Sequence, residues 1–162
     1  MPRSTIERAY IGLGANLGDA RAALDAAFVA LAALPGTTLT AASSIYRSAP
    51  IDSSGPDYLN AVIRLDTQLR PRALLGELQR IELAHGRERP YRNAPRTLDL
   101  DLLLYGRRRI DTPALTLPHP RLHERAFVLA PLAQLDASLA IQGRGRVSEL
   151  LAGVAGQRID RL

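Results

Sequence analysis

Apolar positions along the chain change period several times, and each change marks an element. Residues 7–13, "ERAYIGL", read as a strand. "GANLGD" follows, and from about 19 to 34 the spacing becomes helical. Leu24, Phe28, Leu31 and Leu34 fall on one face, and Pro35-Gly36 ends the helix. Residues 38–47 read as a second strand, and "SAPIDSSGPD", 48–57, as a Pro/Gly/Ser loop. "YLNAVIRLDTQL" alternates cleanly: Leu59, Ala61, Ile63 and Leu65 on one side, Tyr58, Asn60 and Arg64 on the other. Pro71 suits the first turn of a second helix, whose apolar stripe is Leu74, Leu75, Leu78 and Ile81 and whose C-terminal cap is Gly86. A polar loop, 87–96, leads into "RTLDLDLLLYG", residues 96–106. Beyond 107 the pattern predicts a loop, a short helix around 121–134 and a small helix near 147–153.

The order is β-α-β-β-α-β, the split βαβ arrangement of ferredoxin-like folds. The expected class is α+β, with an antiparallel sheet, helices on one of its faces and a C-terminal extension. No repeat, low-complexity tract or linker divides the chain, so residues 1–162 are expected to form one domain.

The stretch "LDLDLLLY" raises the chemical question. Side chains alternate across a strand, so Leu98, Leu100, Leu102 and Leu104 are expected on a core face. Thr97, Asp99, Asp101, Leu103 and Tyr105 then share the other. The two carboxylates stand about 6.5 Å apart along the strand. They repel, and one of them should hold its proton more tightly unless a cation lies between them. Two Mg²⁺ ions, roughly 3.5–4 Å apart and clamping phosphates, suit this geometry. Mg²⁺ takes one or two carboxylates and completes its shell with water and phosphate oxygens. Arg87, Arg89, Arg92 and Arg96 stand just before the strand. Acids and arginines so placed are either ordinary surface ion pairs or the metal and phosphate halves of one site.

Composition narrows the choice. The chain is 46% hydrophobic and 23% charged, ordinary for a globular protein with a core. No apolar run reaches the ~18 residues of a membrane span, and "MPRSTIERAY" lacks the apolar region of a signal peptide. A cytoplasmic location is expected. Without cysteine there is no disulfide, thiolate metal site or cysteine nucleophile. The net charge of +5 suggests nucleic acid. Yet all 21 basic residues are arginine, which points to codon bias, and without lysine a Walker-type P-loop is excluded. An RNA-binding ferredoxin-like module would need aromatic rings on its central strands, and aromatics are only 4%.

Other motifs carry less. "GLGANLG" has Leu17 where a dinucleotide fingerprint needs glycine, so Gly12 and Gly14 are better read as allowing a tight turn or close backbone approach. His119 and His123 have metal-ligand spacing, but Pro118 and Pro120 flank His119 and place it before the helix. His85 reads as a surface residue near a helix C-terminus. No G-x-S-x-G supports a serine hydrolase.

Six segments in order, "YIGLGANLGD", "SSIYRSAP", "PDYLNAV", "QRIELAHGR", "RTLDLDLLLYG" and "LPHPRLHERAFVLAPL", resemble the hydroxymethyldihydropterin pyrophosphokinase family of folate biosynthesis. The resemblance covers about residues 9–136. It implies transfer of pyrophosphate from ATP to the hydroxymethyl group of 6-hydroxymethyl-7,8-dihydropterin, with release of AMP. It also implies a ferredoxin-like α+β fold, two Mg²⁺ ions, ATP and the reduced pterin as small-molecule partners, a monomer, and neither nucleic acid nor membrane as a partner.

Residue by residue, Asp99 and Asp101 match the family's metal-bridging pair. Ser48, Ala49, Pro50, Ile51, Tyr58, Asn60 and Phe127 match its pterin pocket, with Phe127 the stacking ring. Asn60 suits a heterocycle edge because one amide offers a donor and an acceptor. Gln79, Arg89, Arg96, Leu102, Thr116, His119 and Arg125 match ATP-binding positions. Arg87, Arg89 and Arg96 match catalytic arginines, the first two on a loop that closes over the substrates. The chain departs from the family pattern at Ala15 (Ser in many members), Ala49 (Pro) and Asn93-Ala94 (Trp-Gly).

Overall fold

The computed structural model describes residues 5–16, 19–49, 57–85 and 98–162. β1 (Glu7–Ala15) lies at the centre of an antiparallel sheet, between β4 (Tyr58–Thr67) and β5 (Asp99–Tyr105). β2 (Thr37–Ala42) and β3 (Tyr46–Ser48) both pair with the far edge of β4. Beyond β3 lies β10 (Ile159–Arg161), so the sheet runs β10-β3-β4-β1-β5.

Between the strands stand α1 (Ala20–Ala32) and α2 (Pro71–Ala84). Each starts as its sequence dictates. The Asp19 carboxylate caps α1 by accepting from the Ala22 amide at 3.0 Å, and Pro71 occupies the first turn of α2, where its missing N–H is not needed. Between α1 and β2 the chain turns at Gly36, whose φ of 59° favours glycine. The α1 and α2 stripes bury Leu24, Leu31, Leu74, Leu78 and Ile81 against Ile11, Leu13, Ile63, Leu65 and Leu100.

The predicted strand over 38–47 is two strands. The register slips by one between Leu39 and Ala41, and again across Ser43–Ile45. One slip alone would turn every later side chain to the opposite face. The second slip restores the alternation, so Tyr46 and Ser48 share a face with their partners Asn60 and Tyr58. Ser43 makes the break possible, because its hydroxyl accepts from the Val62 amide at 2.9 Å while its own amide donates to the Val62 carbonyl.

The two core helices lie on one face, as expected, and the C-terminal extension adds a layer on the other. After β5 come β6 (Ile110–Asp111), β7 (Thr116–Leu117), a 3₁₀ turn (Leu122–Glu124), α3 (Ala126–Asp136), β8 (Ala140–Ile141), β9 (Gly145–Arg146) and α4 (Val147–Gly153). The 3₁₀ turn, α3 and α4 cover the second face of the sheet. There Leu122, Val128, Leu129, Leu132 and Val147 pack on Tyr10, Val62, Leu103 and Leu104. Where that layer packs, the sheet is buried on both sides, and β5 reads apolar from Leu102 to Leu104 for that reason.

Leu104 itself was expected beside Leu98, Leu100 and Leu102. A β-bulge intervenes: Tyr10 pairs with Leu104 but Ile11 pairs with Leu102, leaving Leu103 as the extra residue. Beyond the bulge the faces exchange. Leu104 joins the second core and Tyr105 the first, where its hydroxyl donates to the Leu69 carbonyl at 2.5 Å. Among the described residues, no helix is long and apolar enough to cross a membrane.

Candidate functional site

The second face of the sheet is only partly covered. Toward the start of β5 the helix layer stands off and leaves a cavity of about 570 Å³. Its floor comes from the three central strands. Gly12 pairs with Asp101 and Gly14 with Asp99 on one side, while Gly14 pairs with Asn60 on the other. The two glycines lie within β1 rather than in a turn. A Cβ built on Gly14 would meet Asn60 Oδ1 at 3.6 Å and Tyr58 Cδ1 at 3.9 Å. The space over the floor therefore exists because β1 has no side chain there.

The carboxylates lie as alternation predicts. Asp99 is half-buried and Asp101 exposed, and both line the cavity. β5 is held to α2 by Glu82, a buried carboxylate whose Oε2 accepts from the Leu100 amide at 2.9 Å. That amide lies between the two aspartates. Among the described residues no third Asp, Glu, His or Cys completes a metal cluster with them.

On the β4 side Asn60 is buried, and its Nδ2 donates to Ser48 Oγ at 2.7 Å. This bond fixes the amide and leaves Oδ1 toward Gly14. Ser48, Ala49 and Tyr58 complete this wall. The opposite wall is the junction of the 3₁₀ turn and α3, with Arg121, Glu124, Arg125, Phe127 and Val128. The Arg125 guanidinium carbon stands 5.5 Å from the centre of the Phe127 ring.

His119 precedes the 3₁₀ turn, as its flanking prolines predict. Its amide donates to the Leu103 carbonyl, and its Nδ1 accepts from the Arg121 amide at 3.3 Å. Burial holds the imidazole below its ordinary 6.5; nearby Asp101 pulls the other way, and Arg125 and Arg121 reinforce the lowering.

Of the predicted site residues, Ser48, Ala49, Tyr58, Asn60, Asp99, Asp101, Arg125 and Phe127 come together around this cavity. His119 lies close enough to feel the charge of Asp101 without lining it. Gln79 is exposed on α2, Leu102 is buried in the first core, and Thr116 sits on β7; none lines the cavity. Pro50, Ile51, Arg87, Arg89 and Arg96 lie outside the described residues, as does Gly86. Sequence reasoning missed Arg121, Glu124 and Gln157 as lining residues. The first two flank predicted residues, but no spacing signal marks Gln157.

Comparison with known proteins gives the arrangement a lineage. The 7,8-dihydro-6-hydroxymethylpterin-pyrophosphokinase (HPPK) family matches residues 10–137. A 2-amino-4-hydroxy-6-hydroxymethyldihydropteridine pyrophosphokinase of Pseudomonas aeruginosa is 45% identical over 158 residues, covering 97% of this chain and 98% of that protein. A protein of the same name from Haemophilus influenzae is 43% identical over 155 residues, covering 95% and 97%. Among solved structures, a Plasmodium falciparum HPPK-DHPS superposes with a TM-score of 0.78 at 13% identity, over 95% of this chain and 46% of that one. This chain thus spans under half of that protein, and the likeness there is one of fold. The matched residues include the Asp99–Asp101 strand, the Ser48–Asn60 wall and the Phe127 wall, and on that extent and identity the chain belongs to the 7,8-dihydro-6-hydroxymethylpterin-pyrophosphokinase family.

Proposed function

We propose that this chain transfers pyrophosphate from ATP to the hydroxymethyl group of 6-hydroxymethyl-7,8-dihydropterin in folate biosynthesis, releasing AMP, and does so as one domain. The observation that carries the proposal is the cavity that joins a buried hydrogen-bonding amide, an aromatic ring and a carboxylate pair, in a member of this family. The strand order β3-β4-β1-β5, with α1 and α2 on one face, supports a ferredoxin-like core to which the second helix layer is added.

In this reading the hydroxyl oxygen of the pterin attacks the β-phosphorus in line with the departing AMP. Such transfers depend mainly on positioning and on neutralising charge. Asn60, held by Ser48, presents its amide to the heterocycle edge, and Phe127 stacks on the ring. Arg125 stands at the same wall, where its charge meets phosphate oxygens. His119, neutral at pH 7 with Nδ1 accepting from Arg121, offers Nε2–H as a hydrogen-bond donor.

Asp99 and Asp101 are the residues to hold Mg²⁺. They fit it, because two carboxylates on one strand face project beside two glycines that leave room for water and phosphate oxygens. Held there, Mg²⁺ would neutralise charge on the phosphates and would favour loss of the proton from the attacking hydroxyl. No side chain is assigned as general base.

Incubation with ATP, Mg²⁺ and the reduced pterin, followed by nucleotide chromatography, tests the reaction. AMP should form in step with the pterin product and hardly at all without pterin. ADP as the sole product, or no turnover by a folded sample, refutes the proposal.

A further inference from the structure

The family match ends at residue 137, yet residues 157–162 touch both walls of the cavity. Gln157 lies between α4 and β10. Its Nε2 donates to the Glu124 carbonyl at 2.7 Å, and its Oε1 accepts from the Ala126 amide at 2.9 Å. Those are the backbone groups on either side of Arg125. Ala126 opens α3, and the N-cap Arg125 makes no side-chain capping bond. The Ala126 amide belongs to the helix end whose donors have no intrahelical partner, and Gln157 supplies one from outside.

The same segment continues into β10. Ile159 pairs with Ser48 and Arg161 with Tyr46, and the Leu162 amide donates to the Ile45 carbonyl at 2.9 Å. One short stretch thus connects the wall of Ser48 and Ala49 to the wall of Arg125 and Phe127. The geometry points to Gln157 as a positioning residue: its amide fixes the Arg125 backbone, and with it the placement of the Arg125 guanidinium and the Phe127 ring over the cavity. A single planar amide suits the task because it offers one donor and one acceptor. This inference rests on the proposed pyrophosphokinase reading only for the identity of the ligands, since the contacts are independent of the reaction.

The test uses Gln157→Met, which keeps the volume and loses both hydrogen bonds, with Gln157→Ala beside it. Exchange of the Ala126 amide, followed by NMR in the ligand-free protein, should speed up in both variants while the β1–β4 amides keep their protection. Calorimetric affinity for the pterin or for an ATP analogue, per folded molecule, should fall by up to about tenfold, because binding must then supply the ordering of the Arg125–Phe127 wall. In an Arg125→Ala/Phe127→Ala background the same substitution should change affinity by less than about twofold, because residues acting through one another are not additive. Unchanged Ala126 exchange, wild-type affinity in both variants, or a full additive loss in that background overturns the assignment. Failure of the wild-type protein to make AMP would refute the reaction and leave the exchange result to decide on Gln157.

Discussion

Gly14→Ala should make the protein more stable and less active at once. The backbone at Gly14 is not among those with positive φ, so alanine meets no conformational penalty. Its methyl would sit 3.6 Å from Asn60 Oδ1 and 3.9 Å from Tyr58 Cδ1, ordinary van der Waals distances. Replacing a strand glycine under these conditions stabilises by about 0.4–1 kcal/mol, chiefly by restricting the unfolded chain. For a domain of this size that raises Tm by roughly 1–4 °C. The methyl also occupies the cavity floor between Asn60 and Asp99, Gly14's cross-strand partners. A ligand edge hydrogen-bonded to Asn60 is then lifted off the floor, and a displacement of about 1 Å at a reacting centre can slow transfer by 10²-fold. Thermal unfolding and steady-state kinetics on one preparation check both halves. Gly12→Ala is the comparison: its Cβ would lie 3.4 Å from both Leu103 methyl carbons, at the tight edge of ordinary contact, so its gain should be the smaller of the two. A Gly14→Ala protein whose Tm falls, or one that keeps the wild-type KM for pterin and the wild-type kcat, refutes this account of the floor.

Three further outcomes follow from the same geometry. Asp99→Asn and Asp101→Asn should each abolish AMP formation while circular dichroism stays native, because the two side chains line a cavity rather than the core; normal turnover at saturating Mg²⁺ would remove them from the metal role. Asn60→Ala should weaken pterin binding by ~1–3 kcal/mol and ATP binding much less, since it unpairs a buried site built for hydrogen bonding; equal losses in titrations with each ligand would make Asn60 purely structural. Tyr105→Phe should flatten the alkaline loss of stability. Burial foremost, then Glu7, raises the Tyr105 pKa above its ordinary 10.0. The unfolded chain therefore ionises first, the folded state holds more protons, and stability declines as pH rises beyond about 10. Tyr10 is raised as well, so part of the slope should persist; urea midpoints from pH 8 to 11 that match wild type throughout would contradict this.

Periodicity read α1, α2 and the central strands well, because each of them buries one side in the first core. It failed where pairing rather than pattern decides the outcome. The bulge at Leu103 arises between β1 and β5, and an isolated "LDLDLLLY" cannot show on which side Leu104 falls. Likewise Ser43 breaks the second strand only through its hydrogen bonds to Val62. The second helix layer did leave a mark that alternation obscured. Val62 interrupts the polar side of β4, and three consecutive leucines in β5 need cover on both faces. In the site, Asp99 and Asp101 were legible because a carboxylate at an alternating strand position is conspicuous, whereas Asn60 was marked only by the family resemblance, and all three line the cavity. Gln157 was not, because its partners are backbone groups at Glu124 and Ala126, which no sequence pattern names.

The cavity and its chemistry have one origin. Over Tyr10, Val62, Leu103 and Leu104 the second face of the sheet is apolar, and α3 and α4 close on it. A few residues along the same strands the face presents Asp99, Asp101 and the Asn60 amide. An apolar helix lying over carboxylates would strip their water without replacing their hydrogen bonds, at several kcal/mol per group. The layer consequently stands off there, and the polar residues Arg121, Glu124 and Arg125, at the junction of the 3₁₀ turn and α3, form the wall of the gap. Gly12 and Gly14 deepen the gap from below. Filling it with apolar side chains would require losing the carboxylates, and keeping the carboxylates keeps it open to ions and water. The stability of the second core therefore rests on the closed half of this face, while the open half carries the polar groups that face the cavity.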